Sequence, residues 1–121
     1  AGVSIAMLTG ENGILTKATQ STKETAKGEA VEAVKLAVST VKADMLDSTK
    51  NTADKTYSSL TMDNIKAAIL VSYPNSAAKV EGTNIKFTAS NNKVVTVPVS
   101  ITGTGNTATA SINESGVTVA D

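Results

Sequence analysis

The chain has 121 residues, enough for one domain, and its eleven lysines balance eleven acidic residues in the absence of arginine and histidine. Because arginine makes the best bidentate contacts to phosphates and base edges, this composition argues against a nucleic-acid partner. The absence of cysteine excludes disulfides and cysteine-ligated metals. Only Tyr57, Tyr73 and Phe87 are aromatic, so a small core built mostly of alanine and valine is expected.

The first eight residues are uncharged and almost wholly apolar: Ala1, Gly2, Val3, Ser4, Ile5, Ala6, Met7 and Leu8. A helix that is apolar all round is stable only in lipid or inside a protein bundle, and small residues let neighbouring helices approach closely. Eight residues cover only about 12 Å of a hydrocarbon layer of about 30 Å. We interpret residues 1–8 as the distal part of a longer hydrophobic assembly helix. A fortuitous chain end and a segment folded back on the domain are the alternatives.

A polar, glycine-flanked stretch comes directly after the apolar segment. It consists of Gly10, Glu11, Asn12 and Gly13. Each glycine weakens a helix by about 1 kcal/mol relative to alanine. The pattern predicts a joint or hinge between the apolar segment and the remainder of the chain.

A long helix is predicted over residues 14–47. Its clearest apolar face has helical spacing and comprises Val31, Val34, Val38, Val41 and Met45. This stripe is predicted to face the core, where a charge introduced at Val38 would cost several kcal/mol. Gly28 interrupts the pattern and predicts a bend or the close approach of a neighbouring element.

A polar loop and a short second helix are predicted next. Residues 48–60 show no hydrophobic period and are interpreted as the loop. Thr61 is a suitable N-cap, Asp63 places negative charge in the first turn, and Pro74 stops the segment, which predicts a helix over residues 62–72.

After Pro74 the apolar period changes from helical to alternating, which predicts a sheet over residues 78–120. Its inward positions include Ile85, Phe87, Val95, Val97 and Val99. Pro98 cannot donate a ladder hydrogen bond, so its strand is expected to lie at an edge or to bulge. Together the elements predict an α+β fold, in which a long N-terminal α-helix packs on an antiparallel β-meander of three to four strands with a short second helix.

The run GVSIAMLTGENGILTKA, residues 2–18, resembles the end of the hydrophobic N-terminal helix, and the start of its soluble continuation, in type IV pilins and pilin-like proteins of Gram-positive bacteria. The predicted fold is similar in plan to the pilin headpiece. The resemblance implies that residues 1–13 form the distal assembly helix and its joint, and residues 14–121 the headpiece. It implies a leader and further apolar residues upstream of Ala1.

In that family the apolar helix first holds the subunit in the membrane and then packs against identical subunits in the core of a helical filament. The resemblance therefore implies a homo-oligomeric structural subunit of an extracellular filament at the cell surface. A pseudopilin of a secretion or DNA-uptake machine and a monomeric surface adhesin or binding module are the alternatives.

Neither catalysis nor a cofactor is predicted. Without histidine or cysteine a nucleophilic serine would need a lysine base, and Ser39 with Lys42, which has the right spacing, is interpreted as ordinary helix surface. Asp44, Asp47 and Asp54 offer oxygen ligands for calcium but do not match an EF-hand loop, and a solvated helix end is the favoured interpretation.

One further motif matches the pattern of a covalent modification site. Asn113 with Ser115 fits the pattern for N-glycosylation, and the same residues also fit a turn.

Overall fold

The computed structural model describes the backbone of residues 12–120 and the side chains of residues 22–120. Two helices pack on an antiparallel sheet of five strands. The helices are α1 (Asn12–Met45) and α2 (Met62–Ser72), and the strands are β1 (Lys79–Glu81), β2 (Asn84–Thr88), β3 (Val94–Thr102), β4 (Thr109–Ile112) and β5 (Thr118–Val119). The predicted α+β fold is confirmed, with one strand more than the expected meander.

Helix α1 has 34 residues and would measure about 51 Å at 1.5 Å per residue. It ends at Met45, two residues before the predicted end at Asp47. The Asp47 carboxylate accepts hydrogen bonds from the backbone N–H and the hydroxyl of Thr49, at 2.9 and 2.5 Å. This turn, which an aspartate side chain favours over further helix, explains the earlier end.

Two stripes of α1 are buried. The valine stripe contributes Val31, Val34, Val41 and Met45, and the second stripe consists of Ala26, Ala30, Ala33 and Ala37. Val38, which was predicted to be core, is only partly buried. It lies beside Ala110 and Ile112 of the short strand β4, which are themselves partly buried, so the sheet does not cover it completely.

Gly28 is exposed within α1, and a Cβ built on it meets no atom within 4 Å. The predicted close approach of a neighbouring element is therefore wrong for the part of the chain that the structure describes. Glycine at this position destabilises the helix because its backbone is flexible, and no close packing contact compensates.

Replacing Gly28 with alanine is expected to raise the free energy of unfolding by about 1 kcal/mol, because alanine has the higher helix propensity and space is available. Ser39→Ala, at another exposed position of the same helix, is the matched control and should gain about 0.5 kcal/mol or less. Urea denaturation monitored by circular dichroism measures both. A loss of stability in Gly28→Ala would show that the helix needs glycine there.

Helix α2 has the predicted limits. The Thr61 side chain accepts a hydrogen bond of 3.1 Å from the backbone N–H of Asn64 and so caps the helix as expected. Ile65, Ala68 and Ile69 are buried against the rest of the core. The helix ends two residues before Pro74.

Strand β3 is the centre of the sheet. Strand β2 pairs with β3 from Val94 to Pro98. On the other side, β5 pairs with Val95 and Thr96, and β4 pairs with the stretch from Val99 to Thr102. The inward side chains predicted for the sheet are buried: Ile85, Phe87, Val95, Val97 and Val99. They pack with the two stripes of α1 and with α2 in one core.

Pro98 explains why β4 and β5 are separate strands. The backbone N–H of Asn113 donates to the carbonyl of Pro98 at 3.1 Å, but proline has no N–H to return the bond. The Asn113 carbonyl accepts instead from the N–H of Gly116 at 3.0 Å, within the 3₁₀ turn Glu114–Gly116. A Cβ at Gly116 would lie 2.8 Å from the side-chain amide nitrogen of Asn113.

Strand β3 as a whole is not an edge strand, because it is paired on both sides, but Pro98 itself has no ladder partner on the side of β4 and β5 and is in that local sense at an edge. The irregularity lies in the partner strand, where the extra residues of the turn interrupt the ladder.

Candidate functional sites

Most of the predicted assembly segment lies outside the described residues, including all of residues 1–8 and the hinge residues Gly10 and Glu11. The other two predicted hinge residues, Asn12 and Gly13, are the first two of α1 and have helical backbone. Neither helix in residues 12–120 has an apolar stretch of the length that a bilayer requires.

Between the apolar segment and the core of the domain, α1 passes through a polar section. Residues 16–25 contain one apolar side chain, Ala18, and we call them the polar rod. Among the described side chains of α1, the first buried one is Ala26. A helix that is polar all round is typical of a segment that crosses solvent between two packed regions.

The β2–β3 turn is hydrogen-bonded to α1 at Glu29 and also at Thr22, which belongs to the polar rod. Both carboxylate oxygens of Glu29 accept from the backbone N–H of Ser90, at 3.2 and 3.1 Å, and one accepts from the Ser90 hydroxyl at 2.8 Å. The side-chain amide of Asn91 donates to the backbone carbonyl of Thr22 at 3.1 Å. These bonds fix the sheet to α1 on both sides of Ala26, the first buried residue among the described side chains of the helix.

A second group of hydrogen bonds holds the loop between α1 and α2 against the end of α1. Asp44 accepts from the backbone N–H of Tyr57 at 2.7 Å and from the Lys50 ammonium at 3.2 Å. The Lys55 ammonium donates to the carbonyl of Met45 at 2.6 Å, which satisfies one of the free carbonyls at the helix end. The side chain of Asp44 is only 13% exposed.

The favoured interpretation of Asp44 as part of a solvated helix end is thus wrong, because its carboxylate holds the loop. The calcium alternative has no support in residues 12–120, where no group of three or more acidic side chains is arranged to hold a metal ion. Asp44 and Asp47 use their oxygens to bind the loop, and Asp54 lies exposed in the short 3₁₀ helix Thr52–Asp54.

Acid should weaken the hydrogen bonds that Asp44 and Asp47 accept. The backbone N–H of Tyr57 lowers the pKa of Asp44 below 3.8, and the Thr49 hydroxyl does the same for the pKa of Asp47. Since the folded pKa lies below the unfolded one, the stabilisation is complete above about pH 4 and is lost as pH falls through the lowered values. Asp44→Asn is expected to lower Tm at about pH 6 but to lose less Tm than wild type between about pH 4 and 2. Equal acid-induced losses in both proteins would contradict this role.

The remaining candidates are surface or turn residues. Ser39 is exposed on α1 and Lys42 is half-buried there. The Asn113 side chain accepts from the Ser115 hydroxyl at 2.8 Å, so these residues order the turn opposite Pro98.

Comparison with protein-family models, with curated proteins and with solved structures found no match. Function is therefore inferred from the residues and contacts described above.

Proposed function

We propose that the protein is the structural subunit of an extracellular filament of the type IV pilus kind, which assembles through residues 1–13. One observation carries the proposal: in sequence, the polar rod separates an apolar segment from the headpiece core, which begins on α1 at Ala26 among the described side chains. Such a segment obtains its burial from lipid or from other chains.

Burial of the apolar segment is favourable first in a bilayer and then in a bundle of identical helices. Full burial of Val3, Ile5 and Leu8 is worth about 1.5–3 kcal/mol each, in a bilayer or in a bundle of identical helices. Ala1, Gly2 and the other small residues of the segment permit the close helix packing that a bundle needs. A subunit with this segment can therefore be held in the membrane before assembly and then polymerise with identical subunits.

The headpiece suits the outer layer of such a polymer. Helix α1 is held to the sheet through Glu29 and Ser90 near its middle and to its following loop through Asp44 and Tyr57 at its C-terminal end. Tension on the apolar segment would thus pass through α1 into the whole domain. We propose a structural role without catalysis or a bound cofactor.

Immunogold electron microscopy of the bacterium that makes the protein, with antibodies raised against residues 22–120, tests the proposal. Labelled surface filaments that vanish when the gene is deleted are the expected result. Label on the envelope without filaments would indicate the monomeric surface module instead. Loss of secretion or DNA uptake in the deletion strain, with no filament seen, would indicate a pseudopilin.

A further inference from the structure

A cleft opens at the end of the headpiece where α2 ends and the β2–β3 turn begins. Its volume is about 470 Å³, within the range of roughly 300–1,000 Å³ that is usual for small-molecule sites. Its walls come from the C-terminal end of α2, the segment that leads to β1, the end of β2 and one residue of α1. The cleft is distinct from the assembly segment and from the loop that Asp44 holds.

The cleft combines an aromatic anchor with uncharged polar groups. Tyr73 packs edge-on against Phe87 with ring centroids 5.4 Å apart, which fixes its half-buried ring at the wall. Asn75 and Asn92 also line the cleft; both are exposed, and their side-chain amides make no hydrogen bond to another described residue. Both are therefore free to bind a ligand.

Two further groups point to a ligand with hydroxyls. The Glu29 carboxylate lines the cleft and is held in place by Ser90, so it is an acceptor whose position is already fixed. Ser76 also lines the cleft; it is 3% exposed, and its hydroxyl has no hydrogen-bond partner in the described part of the chain. A buried hydroxyl without any partner costs about 1–3 kcal/mol, and an ordered water or a ligand group at this wall of the cleft would remove that cost.

The backbone around Ser76 is also strained. The next residue, Ala77, has a φ of +50°, in the left-handed region that residues other than glycine rarely occupy. Strain of this kind persists where the surrounding structure requires a particular shape.

We propose that the cleft binds a neutral carbohydrate, one or two pyranose rings in size. None of the described residues that line it is a lysine, so an anionic ligand would find no counter-charge among them, and Glu29 would repel it. Amide and carboxylate groups bind adjacent hydroxyls of a sugar, while the Tyr73 ring covers its apolar C–H face. The inference does not depend on filament assembly and adds a recognition function to the headpiece.

Nuclear magnetic resonance titration tests the proposal with the whole chain in a phosphocholine detergent, which carries no sugar. Glucose, galactose, mannose and N-acetylglucosamine are the probes. At least one sugar is expected to shift the amide signals of residues 73–76 and 88–92 with a saturable, millimolar Kd. If none does, or if the shifts depend on protein concentration instead of sugar, the cleft is not a sugar site, and the second outcome makes it a contact between copies.

Ser76→Ala separates a binding role from a structural one. If the hydroxyl serves a ligand, the variant should be as stable as wild type or more stable, yet bind the sugar about two- to tenfold more weakly. Asn75→Ala should weaken binding to a similar extent without changing Tm, since the residue is exposed. Ser58→Ala, an exposed serine in the loop after α1, is the control and should change neither quantity. An unchanged Kd in Ser76→Ala and Asn75→Ala would overturn the proposal.

Discussion

Val34→Asp is expected to lower the free energy of unfolding by roughly 4 kcal/mol or more, because the new carboxylate would be buried with no partner. Val34 is fully buried in the middle of the valine stripe, and the wild-type domain has roughly 5–15 kcal/mol to lose. The variant should therefore lose a large share of its stability and unfold at a markedly lower temperature and urea concentration than wild type. Thermal denaturation followed by circular dichroism, with urea denaturation for the free energy, measures the effect.

Val38→Asp is the matched control, since it makes the same substitution one helical turn away. Val38 is only partly buried beside β4, so a carboxylate there can reach water, and the expected loss is about 1–2 kcal/mol. The ratio of the losses in free energy of unfolding between Val34→Asp and Val38→Asp tests where along α1 full burial ends. Equal losses would show that the sheet covers Val38 as fully as it covers Val34.

Replacing Ile5 and Leu8 together with asparagine is expected to abolish filaments, because it removes about 3–6 kcal/mol of apolar burial per subunit and places polar groups in the helix bundle. The Tm of the headpiece should stay the same, since the described core begins on α1 at Ala26. Electron microscopy of sheared cell-surface material and thermal denaturation of the purified protein provide the two readouts.

Two exposed apolar residues of the headpiece provide the control for the change in polarity: Leu46→Asn combined with Val71→Asn should leave filaments intact. Filaments formed by the Ile5/Leu8 variant would show that assembly does not use the apolar segment. A large fall in headpiece Tm would show instead that the segment folds back on the domain.

The sequence was sufficient to predict the fold because each element carries a strong local signal. Thr61 and Pro74 bound α2 through capping and ring geometry, and the alternation from Ile85 to Val99 defines the inward face of β2 and β3. The valine stripe defines the face of α1 that is buried. These signals depend on residues near one another in the chain, so no tertiary information was needed.

The contacts that shape the candidate sites join residues far apart in sequence, and the hydrophobic pattern did not reveal them. Glu29 meets Ser90 across 61 positions, and Asp44 meets Tyr57 across 13. Tyr57 is buried although it lies in a stretch that reads as polar loop, where its isolated aromatic side chain was the one available signal. The partial burial of Val38 depends on how short β4 is, which in turn results from the tertiary pairing around Pro98.

A helical reconstruction by electron cryomicroscopy of the filaments made by the natural gene tests the central proposal most directly. We predict that residues 1–8 of many copies pack together as helices along the filament axis, that the polar rod leads outward, and that the five-stranded sheet forms the outer surface. A filament built by pairing of the sheet edges, with residues 1–8 exposed or folded onto their own headpiece, would contradict the proposal.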